Sequence, residues 1–321
     1  MSENEFNRRE FLKLTGKAAA LASVIGGGGY LISQNQYSPS KKVLQDSNGN
    51  RSISPNLELP DVVAIKSTDH KEAALTALTL IGGINRFISR GDIVTIKPNI
   101  GWDRSPEMAA NTNPELVKFM AEQCFEAGAS KVIVTDMPCN DSRRTFARSG
   151  IQQSLEEVGA QVILPEDRYL VHADLKGEIL GEWPVLRQFL ETDKLINMPI
   201  VKHHSLSKIT VGMKNWYGVL GGTRNRLHQK IDLSISDLAD FFRPTLVIVD
   251  ATRVLIRNGP SGGSLEDVEI HDTVIAATDQ VAADSYACRF LNIDPGSIGF
   301  ITDAQARGLG KVTGYTLVEQ I

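Results

Sequence analysis

Short apolar runs alternate with longer amphipathic stretches from Leu57 to the end of the chain. The runs are rich in Val and Ile and nearly continuous, which is typical of strands that are buried on both faces of a sheet. This pattern predicts strands over Asp61–Lys66, Asp92–Lys97, Lys131–Thr135, Gln161–Leu164, Lys194–Met198, Leu246–Asp250 and Thr273–Thr278.

The stretches between these runs predict helices. Asn113 can cap a helix over Pro114–Ala127, because Pro114 suits a first turn and an Asn side chain can accept from the free backbone N–H groups. Further helices are predicted over Lys71–Arg90, Ile151–Val158, Gln280–Leu291 and Ile298–Arg307. The alternation of strands and helices predicts an α/β fold, with a mostly parallel central sheet and helices on both faces.

The N-terminal segment has the order of an export signal. Arg8 and Arg9 precede a run of small and apolar residues over 18–32, in the manner of a twin-arginine signal peptide. A basic amphipathic helix of a soluble protein is the alternative. The four consecutive glycines at 26–29 oppose it, since each costs about 1 kcal/mol relative to alanine in a helix interior.

We therefore expect export by the Tat translocase, which would recognise Arg8 and Arg9. The apolar run is short for a membrane span of about 20 residues, and no A-x-A-like cleavage site follows it. The signal is either cut at a weak site or kept as a membrane anchor. The predicted organisation is a signal over 1–33, a flexible linker over 34–56 and one α/β domain over 57–321, located in the periplasm or anchored facing it.

Charge and cysteine content exclude several classes of protein. The 321-residue chain has a net charge of -4, so no basic surface for nucleic acid is expected at the level of the whole protein. Its three cysteines, Cys124, Cys139 and Cys288, form no C-x-x-C pair. They cannot ligate a 4Fe–4S cluster within one chain. The simplest interpretation places all three in the core, although one disulfide is arithmetically possible. The cofactor stays unknown.

Four predicted strands end in residues that can do chemistry. Lys97 and Asn99 follow one strand, Asp136 the next, the 202–204 segment a third and Asp250 a fourth. In open α/β sheets, ligands bind beyond the carboxyl ends of the strands, so we expect these side chains to converge. Each residue taken alone is better explained as a solvated charge or a helix cap, and only their convergence favours a functional site. The two aspartates can bind a cation or serve as an acid and a base.

The adjacent histidines are poorly arranged for a metal ion. In an extended segment His203 and His204 point to opposite faces, whereas Lys202 and His204 share one. The segment also lacks an H-E-x-x-H spacing. No metal ligands are assigned, and a histidine beside a lysine suits an anion better.

The interval 201–243 is a long interruption between two predicted strands. It carries a glycine-rich turn at 218–222, followed by Arg224, Arg226 and His228. Glycines let backbone amides approach an anion, and arginines bind carboxylate or phosphate in a forked geometry. The turn is neither a Walker loop nor a dinucleotide-binding fingerprint. The alternative is a mobile turn beside solvated arginines.

The chain resembles the DUF362 family, a family of undescribed role. The similarity is carried by VTIKPNIGW, TNPELVKFMAEQCFEAGASKVIVTD, MKNWYGVLGG and TDQVAADSYACRFLNIDP, and it extends over roughly 61–310. Some family members carry ferredoxin-like cysteine clusters, which this chain with three cysteines cannot form. The resemblance implies functional positions at Lys97, Asn99, Asn113, Asp136, Lys202, His204, Lys214, Asn215 and His228.

These features lead to two hypotheses. In the first, an exported enzyme or maturation factor acts on a small anionic substrate. His204 or His228 would move a proton, and Asp136 or Asp250 would have an orienting role. The groups expected to bind this substrate are Lys97, Asn99, Asn113, Lys202, Lys214, Asn215 and Arg224. In the second, the protein binds a periplasmic ligand without catalysis, or serves as a redox partner like the ferredoxin-linked family members.

Overall fold

The structure is a computed structural model that describes Arg51, Ile53 and residues 56–321. The predicted signal over 1–33 and most of the predicted linker lie outside these residues, so both stay predictions. Arg51, within the predicted linker, is buried and donates a hydrogen bond from Nη2 to the carbonyl oxygen of Leu190 over 2.9 Å. At this residue the chain packs on the domain instead of forming a free linker.

The described part of the chain contains all seven predicted strands and all five predicted helices, with altered bounds, together with five further strands and three further helices. The strands β1 to β12 are Val62–Lys66, Ile93–Pro98, Lys131–Val134, Gln161–Val162, Leu170–Asp174, Glu182–Leu186, Lys194–Met198, Ile200–His204, Lys208–Thr210, Leu246–Leu255, Val268–Ala277 and Leu317–Gln320. The helices α1 to α8 are His70–Leu80, Pro114–Glu126, Ser142–Arg148, Ile151–Glu156, Gly212–Asn215, Ile231–Phe241, Gln280–Ala287 and Gly299–Ala306. None of these helices is long and apolar enough to cross a membrane.

Ten of the described strands form one sheet. Its order is β12-β1-β11-β10-β7-β2-β3-β4, and β8 pairs with both β10 and β9. The pairings are parallel except those of β11 with β1 and β10, and that of β9 with β8. Strands β5 and β6 form a separate antiparallel pair. The prediction of a mostly parallel sheet is confirmed, with β11 as an antiparallel strand inside it.

Successive residues of the central strands enter two apolar cores. Val247 and Val249 of β10 point into the core that α6, α7 and α8 cover. Leu246 and Ile248 point into the core that α1, α2, α3 and α4 cover. A strand sends neighbouring side chains to opposite faces, so a sheet buried on both sides needs the nearly continuous apolar runs seen in the sequence. The predicted helices on both faces are confirmed.

The first helix is shorter than the predicted Lys71–Arg90. Helix α1 starts after Asp69, whose side chain accepts from the first free amides, and it ends at Leu80. Gly82 and Gly83 follow with φ of +113° and +78°. Glycine adopts this left-handed backbone conformation without steric cost, and the helix therefore ends well before the predicted end.

Strand β10 runs past the predicted strand end at Asp250. It continues to Leu255 because β11 pairs with it along most of its length. Strands β7 and β8 lie one after the other beside β10. Leu246 therefore pairs with Ile196 of β7, and Asp250 pairs with Ile200 of β8. Asp250 therefore lies inside a strand and not at the strand end, where the sequence placed it.

The interval 201–243 is more structured than an interruption. It contains β9, α5 and α6, together with 3-10 turns at Trp216–Val219 and Arg224–Lys230. These turns fold back over the carboxyl ends of β2 and β3, since the Gly218 carbonyl accepts from the Met137 amide over 2.7 Å. The interval thus covers the sheet edge where the strand ends converge.

Asp237 of α6 joins this helix to the segment between β5 and β6. It is 1% exposed, and its carboxylate accepts from the amides of Glu178, Ile179 and Leu180 over 2.9–3.0 Å. Arg307 donates to the same carboxylate through Nη1 over 2.6 Å. Four donors on one buried carboxylate make this residue a structural anchor.

We expect Asp237→Ala to lower the free energy of unfolding by roughly 3–5 kcal/mol, because it leaves buried amides and a guanidinium without an acceptor. Urea denaturation followed by circular dichroism measures this. Asp240→Ala is the matched control, since Asp240 lies on the same helix in an exposed ion pair with Arg243, and such pairs contribute about 0–1 kcal/mol. Equal losses in the two variants would contradict the anchoring role.

Candidate functional site

A cavity of about 560 Å³ opens at the carboxyl ends of the parallel strands. Nine of the predicted site residues line it. The strand ends β2, β3 and β8 contribute Lys97, Asn99, Asp136, Lys202 and His204. The segment from α5 to the second 3-10 turn contributes Lys214, Asn215, Arg224 and His228.

Lys97 and Asp136 form a buried ion pair at the base of the cavity. Lys97 Nζ donates to Asp136 Oδ1 over 2.7 Å and also contacts the Pro98 carbonyl and Asn215 Oδ1, at 2.8 and 3.1 Å. Asp136 Oδ2 accepts from the amide of Ile100 over 2.6 Å. Burial lowers the pKa of Lys97, and the Asp136 carboxylate opposes this shift. Because each charge meets its opposite, the pair adds little net charge to the cavity.

Gly218 lies directly against this ion pair. A Cβ atom at this position would lie 1.8 Å from Asp136 Oδ1 and 2.8 Å from Lys97 Nζ. No side chain fits there without displacing the pair. The sequence suggested that this turn offers its amides to an anion, and the structure gives Gly218 a different reason, the close approach of the backbone to Asp136.

Lys202 is held by neutral oxygen atoms. It is 1% exposed, and its Nζ donates to Asn99 Oδ1 over 3.0 Å and to the Ala110 carbonyl over 2.5 Å. Asn99 in turn donates through Nδ2 to Asn215 Oδ1 over 2.9 Å. Burial lowers the pKa of Lys202 to about 7. Within the described residues no carboxylate pairs with this amine, so its charge is available to a ligand.

Lys214 has a different environment. It is 7% exposed, and its Nζ lies 3.5 Å from the centroid of the Tyr217 ring. Among the residues that the structure describes, no acceptor lies within hydrogen-bond distance of this amine. The pKa of Lys214 is lowered to about 7, mainly by burial and in part by the charges of Arg224, Lys202 and Lys97.

Helix α5 holds Lys214 at the cavity wall because side chains of neighbouring elements bind the backbone of the helix. Asp284 of α7 is fully buried and accepts from the amides of Gly212 and Met213 over 2.7 and 3.1 Å. Asn197 donates to the Gly212 carbonyl over 2.8 Å. Burial raises the pKa of Asp284 to about 7. A four-residue helix has little stability of its own, so these contacts set its position.

The two cavity histidines have complementary hydrogen-bonding roles. His204 Nδ1 accepts from the amides of Leu206 and Ser207 over 3.1 and 3.3 Å, which assigns the proton of the neutral ring to Nε2. His228 Nδ1 lies 3.2 Å from the carbonyl oxygen of Asn225, which can only accept, so Nε2 of the neutral ring is free of its proton.

The rings of His204 and His228 stack with their centroids 6.1 Å apart. Burial lowers the pKa of His204 to about 3, with nearby Lys214 adding to the shift. Burial also lowers the pKa of His228. Both rings are therefore neutral near pH 7, and together they offer the cavity one N–H donor and one nitrogen lone pair.

Arg224 fixes the loop instead of pointing its guanidinium freely into the cavity. Its Nη1 donates to the carbonyls of Met137 and Tyr217, and its Nη2 donates to the carbonyl of Pro138, over 2.6–3.2 Å. Nη2 also lies 3.6 Å from Cys139 Sγ. Arg224 lines the cavity and also holds the loop after β3, so its predicted ligand-binding role stays a prediction.

Cys139 was not predicted at the site. The expectation that all three cysteines pack in the core holds for Cys124 and Cys288, but Cys139 is exposed and lines the cavity. Its position three residues after Asp136 was the available signal, since loops that follow strand ends carry functional groups. All three thiols are free, so the arithmetically possible disulfide does not form.

Asp250 and Asn113 lie outside the cavity. Asp250 Oδ2 accepts from the Asn113 amide over 2.8 Å, and Oδ1 accepts from the amide and hydroxyl of Thr252 over 2.9 and 2.7 Å. The Asn113 side chain accepts from the Glu115 amide at the start of α2. Both residues therefore hold the start of α2 and neither lines the cavity, so their predicted site roles stay predictions. Asp250 shares the sheet face of Leu246 and Ile248, and strand alternation therefore turns its side chain toward α2.

Several lining residues escaped the sequence analysis. Trp102, Thr210 and Tyr217 follow or lie near predicted site residues, so proximity along the chain was their only signal. Pro260 comes from the loop after β10, where the glycine-rich run at 258–263, which predicts a flexible loop, was the available signal. The described residues contain no group of three or more His, Cys, Asp or Glu side chains placed to hold a metal ion.

We expect Lys214→Met to raise the free energy of unfolding at pH 6–7 and to raise it less at pH 9. In the folded chain the pKa of Lys214 is about 7, against an ordinary value of 10.5. Between these values the unfolded chain binds more protons, so the stability of the wild type increases with pH there. One such group contributes a slope of at most about 1.4 kcal/mol per pH unit, which methionine removes.

Guanidinium denaturation at pH 6, 7, 8 and 9 measures this dependence. Lys131→Met is the matched control, because Lys131 is exposed at the start of β3. The free energy of unfolding of Lys131→Met should change with pH in the same way as that of the wild type. Parallel curves for the wild type and Lys214→Met would contradict a buried amine with a lowered pKa.

Comparison with known proteins places this site in a family. A profile of the family described as "Domain of unknown function (DUF362)" matches residues 94–289. A thylakoid-associated protein of Synechocystis sp. is 26% identical over 244 residues, which cover 73% of this chain and 74% of that protein.

Two solved structures are similar at low sequence identity. The lactate racemase apoprotein from Thermoanaerobacterium thermosaccharolyticum has a TM-score of 0.43 and 13% identity over 74% of this chain. A protein from Thermotoga maritima has a TM-score of 0.36 and 10% identity over 70% of this chain. The matches span 58% of each of those two chains. The family match covers more than half of this chain and every cavity residue named above, and the chain therefore belongs to the DUF362 family.

Proposed function

We propose that the cavity binds a small organic anion and that its imidazole pair moves a proton on that ligand. One observation carries the proposal. The amines of Lys202 and Lys214 are buried in the cavity wall, and neither has a carboxylate partner in the described part of the chain. Buried charges in proteins are normally paired, so two unpaired amines facing one cavity favour an anionic ligand.

The charge balance of the cavity supports the same conclusion. Asp136 is the only carboxylate among the lining residues that the structure describes, and it is already paired with Lys97. The positive charges that remain belong to Lys202, Lys214 and Arg224. A bound anion would raise the pKa of the lysine that it pairs with back toward the ordinary value, so binding takes up protons near pH 8.

The size and shape of the cavity fit a small ligand. A volume of about 560 Å³ lies within the range of roughly 300–1,000 Å³ that small-molecule sites occupy. Trp102 and Tyr217 provide apolar walls, while the lysines and histidines provide a few polar groups. This mixture holds the apolar part of an organic anion and fixes the orientation of its charged end.

The histidines support a proton transfer. His228 Nε2 carries a lone pair and His204 Nε2 carries a proton in their neutral forms. A general base needs an unprotonated nitrogen near the operating pH, and His228 meets this condition because its pKa is lowered. His204 stays neutral and serves as a hydrogen-bond donor to the ligand.

We expect Lys214→Met to weaken anion binding about tenfold or more, because a hydrogen bond to a charged group contributes about 1.5–3 kcal/mol. Lys214 has no acceptor to leave unpaired, so the fold should stay intact. Titration calorimetry at pH 7 with inorganic phosphate and with lactate tests both anion classes. Lys131→Met should bind like the wild type.

Binding should also weaken as the pH increases from 7 to 9, because the two amines lose their protons over this range. The change is at most about tenfold per pH unit for each lysine. Failure of both probes to bind, or binding that Lys214→Met leaves unchanged, would contradict the proposed function.

We also propose that the N-terminal segment directs export through the twin-arginine pathway, so that the cavity works outside the cytoplasm. The proposal is supported by Arg8 and Arg9 and by the apolar run that follows them. The description of the Synechocystis relative as thylakoid-associated favours a location at a membrane. Retention of the segment would attach the domain to that membrane.

Replacement of both Arg8 and Arg9 by lysine should keep the full chain in the cytoplasm. Cell fractionation and immunoblotting measure the location, and intact mass of the exported form shows whether the segment is removed. The Lys41→Arg and Lys42→Arg changes in the predicted linker serve as controls, because they exchange the same two residue types and also preserve charge. Export of the Arg8→Lys/Arg9→Lys variant at the wild-type level would refute the pathway.

A further inference from the structure

The three buried lysines of the cavity differ in what surrounds their amines. Lys97 pairs with a carboxylate at 2.7 Å. Lys202 donates to two neutral oxygens at 2.5 and 3.0 Å. Lys214 lies over the Tyr217 ring, and its Nζ has no hydrogen-bond acceptor among the described residues. An amine that forms no hydrogen bond keeps its lone pair accessible once it loses a proton.

We propose that Lys214 is a nucleophile that captures the carbonyl carbon of a small 2-oxo acid as an imine, while the carboxylate of that acid lies beside Lys202. The inference rests on the proposed function, because it assigns a chemical class to the same anionic ligand. A 2-oxo acid carries a carboxylate, which Lys202 can bind, and an electrophilic carbonyl carbon, which Lys214 can attack.

The environment of Lys214 supports this reactivity. Its position in α5 is fixed through Asp284 and Asn197, so the amine is held in place without being hydrogen-bonded itself. Burial lowers its pKa to about 7, so near neutral pH about half of the amine is unprotonated. Lysines of this kind, desolvated and beside other cations, are suited to Schiff-base formation.

The reaction balances without an oxidant or a further reactant. The Lys214 nitrogen attacks the carbonyl carbon, a C–N bond forms, and one N–H proton moves to the oxygen to give a carbinolamine. The second N–H proton then moves to the hydroxyl, which leaves as water while the C=N bond forms. His228 Nε2 is the group able to accept and return these protons, and the His204 N–H can hydrogen-bond to the oxygen.

Lys202 is the matched comparison within the same cavity. Its amine is also buried, but it donates two hydrogen bonds to oxygen atoms that fix its position. It is therefore suited to bind the carboxylate and not to attack the carbonyl. The two lysines thus have separable roles, and a single experiment can tell them apart.

The test uses the full chain incubated at pH 7.5 with pyruvate and sodium borohydride, which reduces an imine to a stable secondary amine. Intact mass spectrometry counts the adducts, and peptide mapping locates them. We expect one adduct per chain, on Lys214. Lys214→Arg should abolish it, and Lys131→Arg should keep it. Lys202→Met should slow trapping about tenfold or more while leaving the adduct on Lys214.

The pH dependence provides a second readout. Trapping should accelerate up to about tenfold per pH unit below the pKa of Lys214 and level off above it. Adducts spread over exposed lysines, or an adduct that persists in Lys214→Arg, would overturn the assignment. Circular dichroism of Lys214→Arg checks that a lost adduct does not reflect a lost fold.

Lactate separates the failure of this inference from the failure of the proposed function. It carries the same carboxylate as pyruvate but no carbonyl, so it can bind without forming an imine. If lactate and pyruvate bind and no adduct is trapped, the imine is refuted and the anion site stands. If neither binds and no adduct is trapped, both the imine and the anion site are refuted.

Discussion

The buried ion pair between Lys97 and Asp136 is the interaction on which the cavity depends. It joins the end of β2 to the end of β3, and its remaining hydrogen bonds reach Ile100 and Asn215. Gly218 approaches the carboxylate so closely that a side chain would displace it. Two strand ends and the loop above them are therefore fixed by one pair of charges. Breaking such a pair leaves an uncompensated charge in the interior, which is strongly destabilising.

This pairing also explains why the rest of the cavity is cationic. Asp136 is fully engaged with Lys97 and backbone amides, so it cannot neutralise Lys202 or Lys214 as well. Asn99 and Asn215 connect the lysines through amide groups that carry no charge. An amide network of this kind positions side chains without cancelling their electrostatic field. Holding positive charge on Lys202 and Lys214 costs desolvation free energy, which lowers the pKa of both amines to about 7 and which a bound anion would offset.

Buried acids elsewhere in the fold have a different function. Asp237, Asp250 and Asp284 each accept from backbone amides, and each connects one segment to another. Only Asp136 combines such contacts with a position in the cavity wall. The distinction is one of geometry. A carboxylate whose lone pairs are occupied by backbone donors stabilises the fold, whereas the lysines and histidines of the cavity keep a donor or a lone pair for a ligand.

The sequence by itself determined the α/β class, the two-faced burial of the sheet, the cap at Asn113 and most of the strand positions. These follow from local periodicity and local turn chemistry, which act over a few residues. It also indicated the strand ends at Lys97, Asp136 and 202–204, because parallel strands must deliver their carboxyl ends to one edge.

Only the tertiary structure decided which polar residues share the cavity. Asp250 lies outside the cavity because strand alternation turns its side chain toward α2, and Cys139 lines the cavity because the loop after β3 folds back toward Arg224. The different environments of Lys97, Lys202 and Lys214 were equally invisible in the sequence, since they depend on partners far along the chain. Local patterns specify elements, whereas contacts between distant residues decide which side chains are paired and which stay free to react.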